Sequence, residues 1–403
     1  MTILIVGAGQ AGGECASQLR KLGYAGPVTL LGDEPHPPYK RPPLSKAYLA
    51  GAVTAESLHV LPAASLAKFD IGFRGNARVT RIDRAARHVE LATGERLAYD
   101  KLLLATGGRA RELNLPGARR ANVLALRTIA DVDAIKARLA PGKRVCIIGG
   151  GFIGLEVAAV CVKLGAKVTV LEGLPRVLAR VTAPPVSAFF ERIHREAGVD
   201  LRIGAQVAAL EGEPEVTAVA LADGARVDTD LVIVGVGIVP NVELAQDAGL
   251  AIDNGIVVDE FTRTSDENIC AAGDCTNHPS EFLGRRLRLE SVQNAMEQGR
   301  AAASTLLGKP EPYQMVPWFW SDQYDVKLQM VGISAGHDQL ILRGDPATTR
   351  AFAAFYLRAG KLIAADVVSR PADFAFAKKL VAARARIDPA LLADEAVALK
   401  SLA

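Results

Sequence analysis

The sequence has little excess charge, no long apolar run and no cluster of residues with metal-ligand spacing. Its 47 basic and 44 acidic residues leave a net charge of +3, which gives no case for nucleic-acid binding but leaves a local basic patch open. No apolar run approaches the ~20 residues that span a bilayer, so we expect no membrane contact. The first predicted strand starts at Ile3, which leaves no room for a signal peptide. We therefore expect a cytoplasmic protein without a metal site.

Reactive cysteines are scarce as well. Cys15, Cys146 and Cys161 fall in predicted helices and a predicted buried strand, where packing is the expected role. Cys270 and Cys275 are five residues apart and could form a redox pair. However, they flank a predicted strand end rather than a helix N-terminus, where a thiolate would be stabilised. We expect no catalytic disulfide, so electrons that reach a redox cofactor must leave it directly.

Two glycine-rich loops of the dinucleotide-binding kind are the most informative motifs present. Each follows a strand-like apolar run and precedes a helix-like segment, as the fingerprint requires. The first glycine permits a tight turn, the second lets the backbone approach a pyrophosphate, and the third lets helix pack on strand. Two such loops predict two bound dinucleotides, for which a flavin and a nicotinamide are the usual pair. The glycines are Gly7, Gly9 and Gly12 in the first loop, and Gly149, Gly151 and Gly154 in the second.

An acidic residue follows each loop at the distance expected for a ribose-binding carboxylate. Asp33 lies 21 residues past Gly12, and Glu172 lies 18 past Gly154. Glu172 favours NADH over NADPH, because its charge would repel a 2′-phosphate. Arg176 lies close enough in sequence to weaken that argument without reversing it.

The chain is long enough for two or three domains with ordinary cores, since half of its residues are hydrophobic. We predict helices from Gly13 to Leu22 and from Ala372 to Ala385, and antiparallel strands at 328–332, 339–343 and 351–357 in the last part of the chain. The run from Asn268 to Asp274 reads as a strand that returns to the first domain. The predicted segments are therefore a flavin domain at 1–111 and 240–315, an inserted nicotinamide domain at 112–239, and a C-terminal α+β domain at 316–403.

Several longer motifs resemble one family across essentially the whole chain: the putidaredoxin reductase-like FAD/NADH-dependent ferredoxin reductases of bacterial oxygenase systems. The two most specific motifs are Arg41-Pro42-Pro43-Leu44-Ser45-Lys46 and Pro317-Trp318-Phe319-Trp320-Ser321-Asp322-Gln323-Tyr324. Further motifs run over 32–34, 104–108, 149–156, 181–187, 273–275 and 290–295. The resemblance implies a glutathione-reductase-like α/β fold with two Rossmann-like domains, and FAD and NADH as cofactors.

The resemblance also implies the cofactor-binding residues. Contacts with FAD are implied at Ala11, Asp33, Lys46, Val79, Arg127, Asp274 and Val292. The remaining cofactor-binding positions implied are Glu34, Arg41, Ala105, Thr106, Gly107, Gly237, Gly273, Glu290, Ser291 and Trp320, together with the two glycine loops, Phe152, Ile153 and Glu172.

Lys46 and Glu156 are the catalytic residues that the resemblance implies. Lys46 resembles the lysine that lies near the flavin N5 and pairs with a glutamate just past the second glycine loop. A cation there stabilises the electron-rich reduced flavin, and a carboxylate can orient the nicotinamide amide. Phe152 stands where some relatives carry Tyr or Val, which leaves open how it gates the nicotinamide site.

Two sets of residues keep two interpretations each. Trp318, Phe319 and Trp320 are either core aromatics of the third domain or partly placed at the flavin edge. The arginines near the flavin-binding segments are either solvated charge or a docking patch for an acidic partner. They are Arg285, Arg286, Arg288 and Arg300.

The resemblance implies transfer of electrons from NADH through FAD to an acidic, transiently docked 2Fe-2S ferredoxin. That ferredoxin would serve a haem-thiolate monooxygenase, a cytochrome P-450 system, and the reductase would be a monomer or weak dimer. One alternative is the reductase of a Rieske ring-hydroxylating dioxygenase. Others are an NADH oxidase or peroxidase, which needs a peroxidatic cysteine, and an apoptosis-inducing-factor-like NADH-binding protein.

Overall fold

Chain contacts in the computed structural model, which describes residues 1–402, define two compact units. The first unit consists of Met1–Arg41, Ala55–Arg109 and Ile238–Met315. The second consists of Pro42–Thr54, Ala110–Gly237 and the segment that begins at Val316. The four domain segments drawn from the sequence stay a prediction.

A five-stranded parallel sheet forms the centre of the first unit. Its apolar strands are buried, as expected of a parallel sheet covered on both faces. The strand Ile269–Ala271 pairs with Lys101–Leu104, which confirms that the chain returns to the first nucleotide-binding sheet. In spatial order the strands are Ile269–Ala271, Lys101–Leu104, Ile3–Val6, Val28–Leu31 and Gly72–Arg74.

Two long helices of this unit share a core with the sheet. The first runs from Gln10 to Lys21, three residues earlier than predicted, because Gly9 is already its N-cap. It packs with the helix Val292–Leu306 over Ile3, Leu103 and their neighbours. The shorter helices are Ala63–Lys68 and Glu243–Asp247, and Glu56–Leu58 is a 3₁₀ turn. The remaining strands of this unit are Val79–Asp83, His88–Leu91, Arg96–Ala98, Ile238–Pro240, Ile256–Val257, Thr276–Ser280 and Arg285–Leu287. The strand Gly108–Ala110 includes the last two residues of a segment of the first unit and the first residue of a segment of the second.

The second unit holds another five-stranded parallel sheet. Its strands, in spatial order, are Asp200–Ile203, Lys167–Glu172, Arg144–Ile148, Leu231–Val234 and Val123–Ala125. The helices of this part are Ile129–Lys136, Phe152–Lys163 and Pro184–Glu196, and Pro42–Ser45 forms a 3₁₀ turn. A separate antiparallel sheet contains Val207–Glu211, Ala218–Leu221 and Arg226–Asp228.

An antiparallel five-stranded sheet follows in the C-terminal part of the same unit. Its spatial order is Trp318–Gln323, Val326–Gly332, Lys361–Val368, Phe352–Arg358 and Gln339–Arg343. The first and third of these strands were not predicted. This part also contains the helices Pro371–Ala382 and Pro389–Ala393 and the 3₁₀ turn Leu399–Leu402. The helix Pro371–Ala382 ends three residues before the predicted Ala385. Among residues 1–402, no helix is both long and apolar enough for a membrane crossing.

Candidate active site

The first glycine loop is shaped for the pyrophosphate of a dinucleotide. Gly7 has φ +114°, and a Cβ there would lie 2.1 Å from the backbone oxygen of Ala105. A Cβ on Gly12 would lie 2.0 Å from the backbone oxygen of Gly7. Around Gly9, apart from its own chain neighbours, no heavy atom of residues 1–402 lies within 4 Å of a Cβ position. The loop is therefore closed on its strand side and open where a phosphate would meet the N-terminus of helix Gln10–Lys21.

The second glycine loop repeats this geometry in the second unit. A Cβ on Gly149 would lie 2.5 Å from the backbone oxygen of Gly235, and one on Gly154 would lie 2.0 Å from that of Gly149. Gly151 has open space within 4 Å as far as the described part of the chain goes. Ile153 is exposed in the first helical turn. This loop also fits a dinucleotide.

The two acidic residues after the first loop differ in their availability. Asp33 is exposed just beyond the strand Val28–Leu31. Glu34 instead accepts hydrogen bonds from Arg41 at 2.8 Å and from the Tyr39 hydroxyl at 2.7 Å. The Arg41 guanidinium also lies over the Tyr39 ring, 4.9 Å from its centroid. Glu34 is thus engaged by Tyr39 and Arg41, whereas the Asp33 carboxylate is exposed, and its role as the ribose acceptor stays a prediction.

A glutamine that sequence reasoning missed holds the turn before Asp274. The Oε1 of Gln298, in helix Val292–Leu306, accepts from the backbone N–H of Gly273 at 2.8 Å and from Thr276 Oγ1 at 2.8 Å. Gly273 has φ +90°, and a Cβ there would lie 3.2 Å from the Cβ of Ala11. The only signal in the sequence was a polar residue on the apolar face of a helix.

The predicted positions near that helix's start have structural roles of their own. Ser291 is the N-cap, and its Oγ accepts from Asn294 N at 3.1 Å. Val292 is the first helical residue and half-buried. Glu290 is exposed and forms a 2.7 Å ion pair with Arg288.

Other implied cofactor-binding residues lie at strand ends and turns. Thr106 Oγ1 donates to the backbone oxygen of Asn241 at 2.6 Å, beside Gly107 with its φ of +62°. Gly237 also has a positive φ, +102°. Val79 is buried at the start of a strand. Arg127 precedes a capping box, and its backbone N–H donates to Asp131 at 2.9 Å.

Glu172 lies at the end of the strand Lys167–Glu172 and is bonded to the backbone around it. It accepts from the N–H of Gly150 and from that of Leu174, each at 2.7 Å. The expectation that Arg176 offsets its charge is not supported. The Arg176 guanidinium donates to Ser187 Oγ at 2.6 Å and to the backbone oxygen of Ala179 at 2.8 Å. The negative charge beside the second glycine loop is therefore that of Glu172.

Lys46 and Glu156 form a buried ion pair, with 2.6 Å between Nζ and Oε2. Only 2% of the Glu156 side chain and 20% of that of Lys46 are exposed. Two hydroxyls complete the carboxylate's shell: Ser45 donates to Oε2 at 2.5 Å and Ser321 to Oε1 at 2.6 Å. The 3₁₀ turn Pro42–Ser45 thus brings Ser45 and Lys46 to the first turns of helix Phe152–Lys163. Ser45 and Ser321 lie in the two most specific motifs named above, but no role was predicted for either.

The aromatic run divides between the two faces of its strand. Phe319 faces Phe152, with ring centroids 4.7 Å apart. Trp318 and Trp320 contact each other at 5.6 Å, and Trp318 also contacts Phe374 of a C-terminal helix at 6.4 Å. Trp318 is therefore partly a core aromatic, whereas Phe319 packs on Phe152, the first residue of the helix that follows the second glycine loop. All three aromatics of the run are half-buried.

Three of the four arginines near the flavin-binding segments are engaged within the fold. Arg300 pairs with Glu14 at 2.7 Å, and Arg288 pairs with Glu290 at 2.7 Å. Arg286 donates to the backbone oxygen of Val258 at 2.6 Å, although its side chain is exposed. Arg285 is exposed as well. Both interpretations, solvated charge and docking patch, stay open for Arg285 and Arg286.

All five thiols are buried. Burial raises the pKa of Cys270 to about 12 and also raises that of Cys275. Cys275 Sγ donates to the backbone oxygen of Ala272 at 3.4 Å. Neither thiol is disposed to ionise at neutral pH, as thiol–disulfide exchange requires. Within residues 1–402, no group of three or more His, Cys, Asp or Glu side chains could hold a metal ion.

The comparisons with known proteins decide the family. The pyridine nucleotide-disulphide oxidoreductase family matches residues 1–299, and the reductase C-terminal family matches residues 318–403. The chain belongs to this oxidoreductase family. The predicted family, fold class and enzyme class are thereby confirmed: the protein is a flavoprotein oxidoreductase with FAD and NADH as its cofactors.

Individual relatives match along the full chain. Putidaredoxin reductase CamA of Pseudomonas putida is 47% identical over 99% of this chain and 96% of its own. The ferredoxin–NAD(+) reductase component of the anthranilate 1,2-dioxygenase system of Burkholderia cepacia is 42% identical, covering 99% and 98%. The solved structure of the ferredoxin reductase for the CYP199A2 system of Rhodopseudomonas palustris superimposes with a TM-score of 0.96. It is 44% identical, and the match covers 100% of both chains.

Replacing both Cys270 and Cys275 by Ser should leave the rate of NADH oxidation with a one-electron acceptor at its wild-type value, because neither thiol is disposed to ionise. The measurement is steady-state turnover per bound FAD. Lost turnover at full FAD content would mean that electrons pass through this pair after all.

Glu172→Gln should raise the ratio of kcat/KM for NADPH to that for NADH by roughly tenfold, which corresponds to about 1.4 kcal/mol. The variant removes the charge that repels a 2′-phosphate but keeps an oxygen that can accept from one backbone N–H. Glu196→Gln, an exposed helical change, is the control. An unchanged ratio in Glu172→Gln would remove Glu172 from coenzyme selection.

Proposed function

We propose that this protein transfers electrons from NADH to a 2Fe-2S ferredoxin that serves a haem-thiolate monooxygenase, a bacterial cytochrome P-450. The observation that carries the proposal is that all five thiols are buried in a chain that has two complete dinucleotide loops. A member of a pyridine nucleotide-disulphide family that has no ionisable thiol pair must deliver its electrons directly to an acceptor. Relatives named as ferredoxin reductases, at 42–47% identity, support a ferredoxin as that acceptor.

The residues fit the two cofactors by shape and charge. When bound, FAD supplies both the acceptance of hydride from NADH and the release of electrons one at a time. The two glycine loops would hold the pyrophosphates at the N-termini of their helices. Asp33 would accept from a ribose hydroxyl of FAD and Asp274 from a ribitol hydroxyl, because a carboxylate is a pure acceptor. Glu172 would accept from the adenosine ribose of NADH.

Lys46 and Glu156 would supply a fixed charge to the reacting end of the flavin. The Lys46 ammonium is held by Glu156 and so needs no reorganisation when negative charge develops near it. Glu156 holds that ammonium in place and would orient the nicotinamide amide. Phe152 begins the helix that carries Glu156 and packs on Phe319, so the two rings would help to exclude water from the site.

The ferredoxin is proposed to be acidic and to dock transiently, with the exposed Arg285 as one cation that it would meet. We further propose that the reductase acts in the cytoplasm as a monomer or weak dimer. Complementary charge between the reductase and an acidic ferredoxin speeds their encounter more than it tightens their complex, which suits a ferredoxin that carries electrons between two proteins.

A second candidate acceptor system is a Rieske ring-hydroxylating dioxygenase. The relative from the anthranilate 1,2-dioxygenase system, at 42% identity over nearly the full chain, favours it. The chemistry up to the ferredoxin is the same in both cases. An apoptosis-inducing-factor-like NADH-binding role is less well supported, and fast reoxidation by a ferredoxin would exclude it.

The test is NADH-driven reduction of a panel of 2Fe-2S ferredoxins, some from P-450 systems and some from Rieske dioxygenase systems. We expect fast reduction of at least one ferredoxin, followed by reduction of its P-450. Preference for dioxygenase ferredoxins would support the second candidate. Slow reoxidation by every ferredoxin would contradict both.

Lys46→Ala should slow flavin reduction by NADH by on the order of 10²-fold, about 3 kcal/mol, with FAD retained. The ammonium acts along the reaction path, whereas many contacts hold FAD. Stopped-flow bleaching of the flavin absorbance measures this rate, and Lys40→Ala, an exposed lysine nearby, is the control.

Glu156→Ala should show a smaller defect, and the double variant should be less impaired than the product of the two singles, since the residues are partners. An unchanged rate in Lys46→Ala would demote the lysine to a structural residue of its turn.

A further inference from the structure

A continuous chain of hydrogen bonds leads from Glu156 to the protein surface. Ser321 Oγ lies 2.6 Å from Glu156 Oε1, and Gln323 Nε2 lies 3.1 Å from Ser321 Oγ. Gln323 Oε1 lies 2.9 Å from His194 Nε2, and His194 Nδ1 lies 3.0 Å from the Tyr324 hydroxyl. All of these residues belong to the second unit.

The alternation of a β-strand explains how the chain is assembled. Ser321 and Gln323 are two residues apart on Trp318–Gln323, so their side chains point to the same face of the sheet. That face meets the helices that carry Glu156 and His194. Trp318 and Trp320 point to the opposite face.

The hairpin turn after this strand carries the last member. Gln323 pairs with Val326, so Tyr324 and Asp325 form a two-residue turn. Tyr324 has φ +56°, a region where such turns favour glycine or asparagine. The hydroxyl of this tyrosine is bonded to His194, and residues at strained backbone positions are enriched in functional sites.

Burial isolates the middle of the chain from water. Ser321 and Gln323 are each 1% exposed and His194 is 0% exposed, whereas Tyr324 is 36% exposed. Burial lowers the pKa of His194 to about 4, so its imidazole is neutral at physiological pH. A neutral imidazole has one donor and one acceptor nitrogen, and its neighbours decide which is which.

The charge of Glu156 fixes the direction of every bond. An ionised carboxylate can only accept hydrogen bonds, so the Ser321 hydroxyl must donate its one proton to Glu156. Ser321 Oγ must then accept from the Gln323 amide nitrogen, which turns the amide oxygen toward His194.

His194 therefore carries its proton on Nε2, and its Nδ1 accepts from the Tyr324 hydroxyl. Every donor in the chain points toward Glu156. A primary amide does not readily pass a proton from one side to the other, so the chain orients groups and does not conduct protons.

We propose that Ser321, Gln323 and His194 are positioning residues, which hold the Glu156 carboxylate in the orientation that fixes Lys46. The inference rests on the proposed role of the Lys46–Glu156 pair in flavin reduction. It assigns a purpose to three buried polar residues that lie far from Glu156 in sequence.

The first test reads the chain without any turnover. In the oxidised holoprotein, ¹⁵N NMR of labelled histidine should show His194 protonated on Nε2. Glu156→Gln should change that tautomer population, because an amide can donate to Ser321 and reverse the chain. The proposal would be overturned if His194 carried its proton on Nδ1 in the wild-type protein, or if its ¹⁵N chemical shifts were unchanged by Glu156→Gln.

The second test reads the consequence for Lys46. Ser321→Ala should slow flavin reduction by NADH by roughly tenfold, as expected for the loss of one hydrogen bond to a charged group, with the Kd for NADH unchanged. Ser321→Thr keeps the hydroxyl and should restore the rate. Ser304→Ala, another buried serine, is the matched control. A wild-type rate in Ser321→Ala at full FAD content would overturn the positioning role.

The two tests also separate this inference from the proposed function. If the His194 tautomer responds to Glu156 and Ser321→Ala is slow, the chain positions the pair. If Lys46→Ala reduces flavin at the wild-type rate while Ser321→Ala is slow, the proposed role of the lysine fails and Glu156 itself is the group being positioned. If all variants reduce flavin normally, both claims fail.

Discussion

The Glu156 carboxylate is the group on which the arrangement of this site depends. It is 2% exposed, and a buried charge is tolerated only when it is paired and hydrogen-bonded. Lys46, Ser45 and Ser321 meet this requirement from two separate stretches of chain. A 3₁₀ turn near residue 45, a helix behind the second glycine loop and a strand near residue 320 are thereby held to one another. Removing Lys46 would leave the carboxylate charge unpaired, and removing either serine would leave one of its oxygens short of a donor, which is why one carboxylate constrains all three elements.

Much of this architecture could be predicted because it is encoded locally. Each glycine loop is a few residues long and has an obligatory strand before it and helix after it, so its place and its ligand class follow from sequence. The strand at Ile269–Ala271 could likewise be assigned to the first sheet, since the second nucleotide-binding unit was already complete. The helix ends were predicted less well. The first helix starts at Gln10 and not at the predicted Gly13. The start was missed because the N-cap, Gly9, has no side chain that would mark the boundary in the sequence.

What could not be predicted depends on contacts between distant residues. Ser321 meets Glu156 across 165 positions and His194 meets Gln323 across 129, so no local pattern announces either contact. Gln298 was missed for the same reason, since its role is to hold a turn 25 residues away. Arg176 shows the converse error. Its nearness to Glu172 in sequence suggested charge compensation, but its guanidinium is directed to Ser187 and Ala179 instead.

These features together describe an enzyme whose own groups hold and orient while its cofactors carry the electrons. The central claim is that the Lys46–Glu156 pair presents a preorganised cation to the flavin. The most direct measurement is a high-resolution crystal structure of the oxidised, FAD-loaded protein. The account predicts that the Lys46 Nζ keeps its ion pair with Glu156 and lies within hydrogen-bond distance, about 3 Å, of the flavin N5. A Lys46 side chain turned to solvent, or paired with Glu156 but out of reach of the flavin, would contradict it.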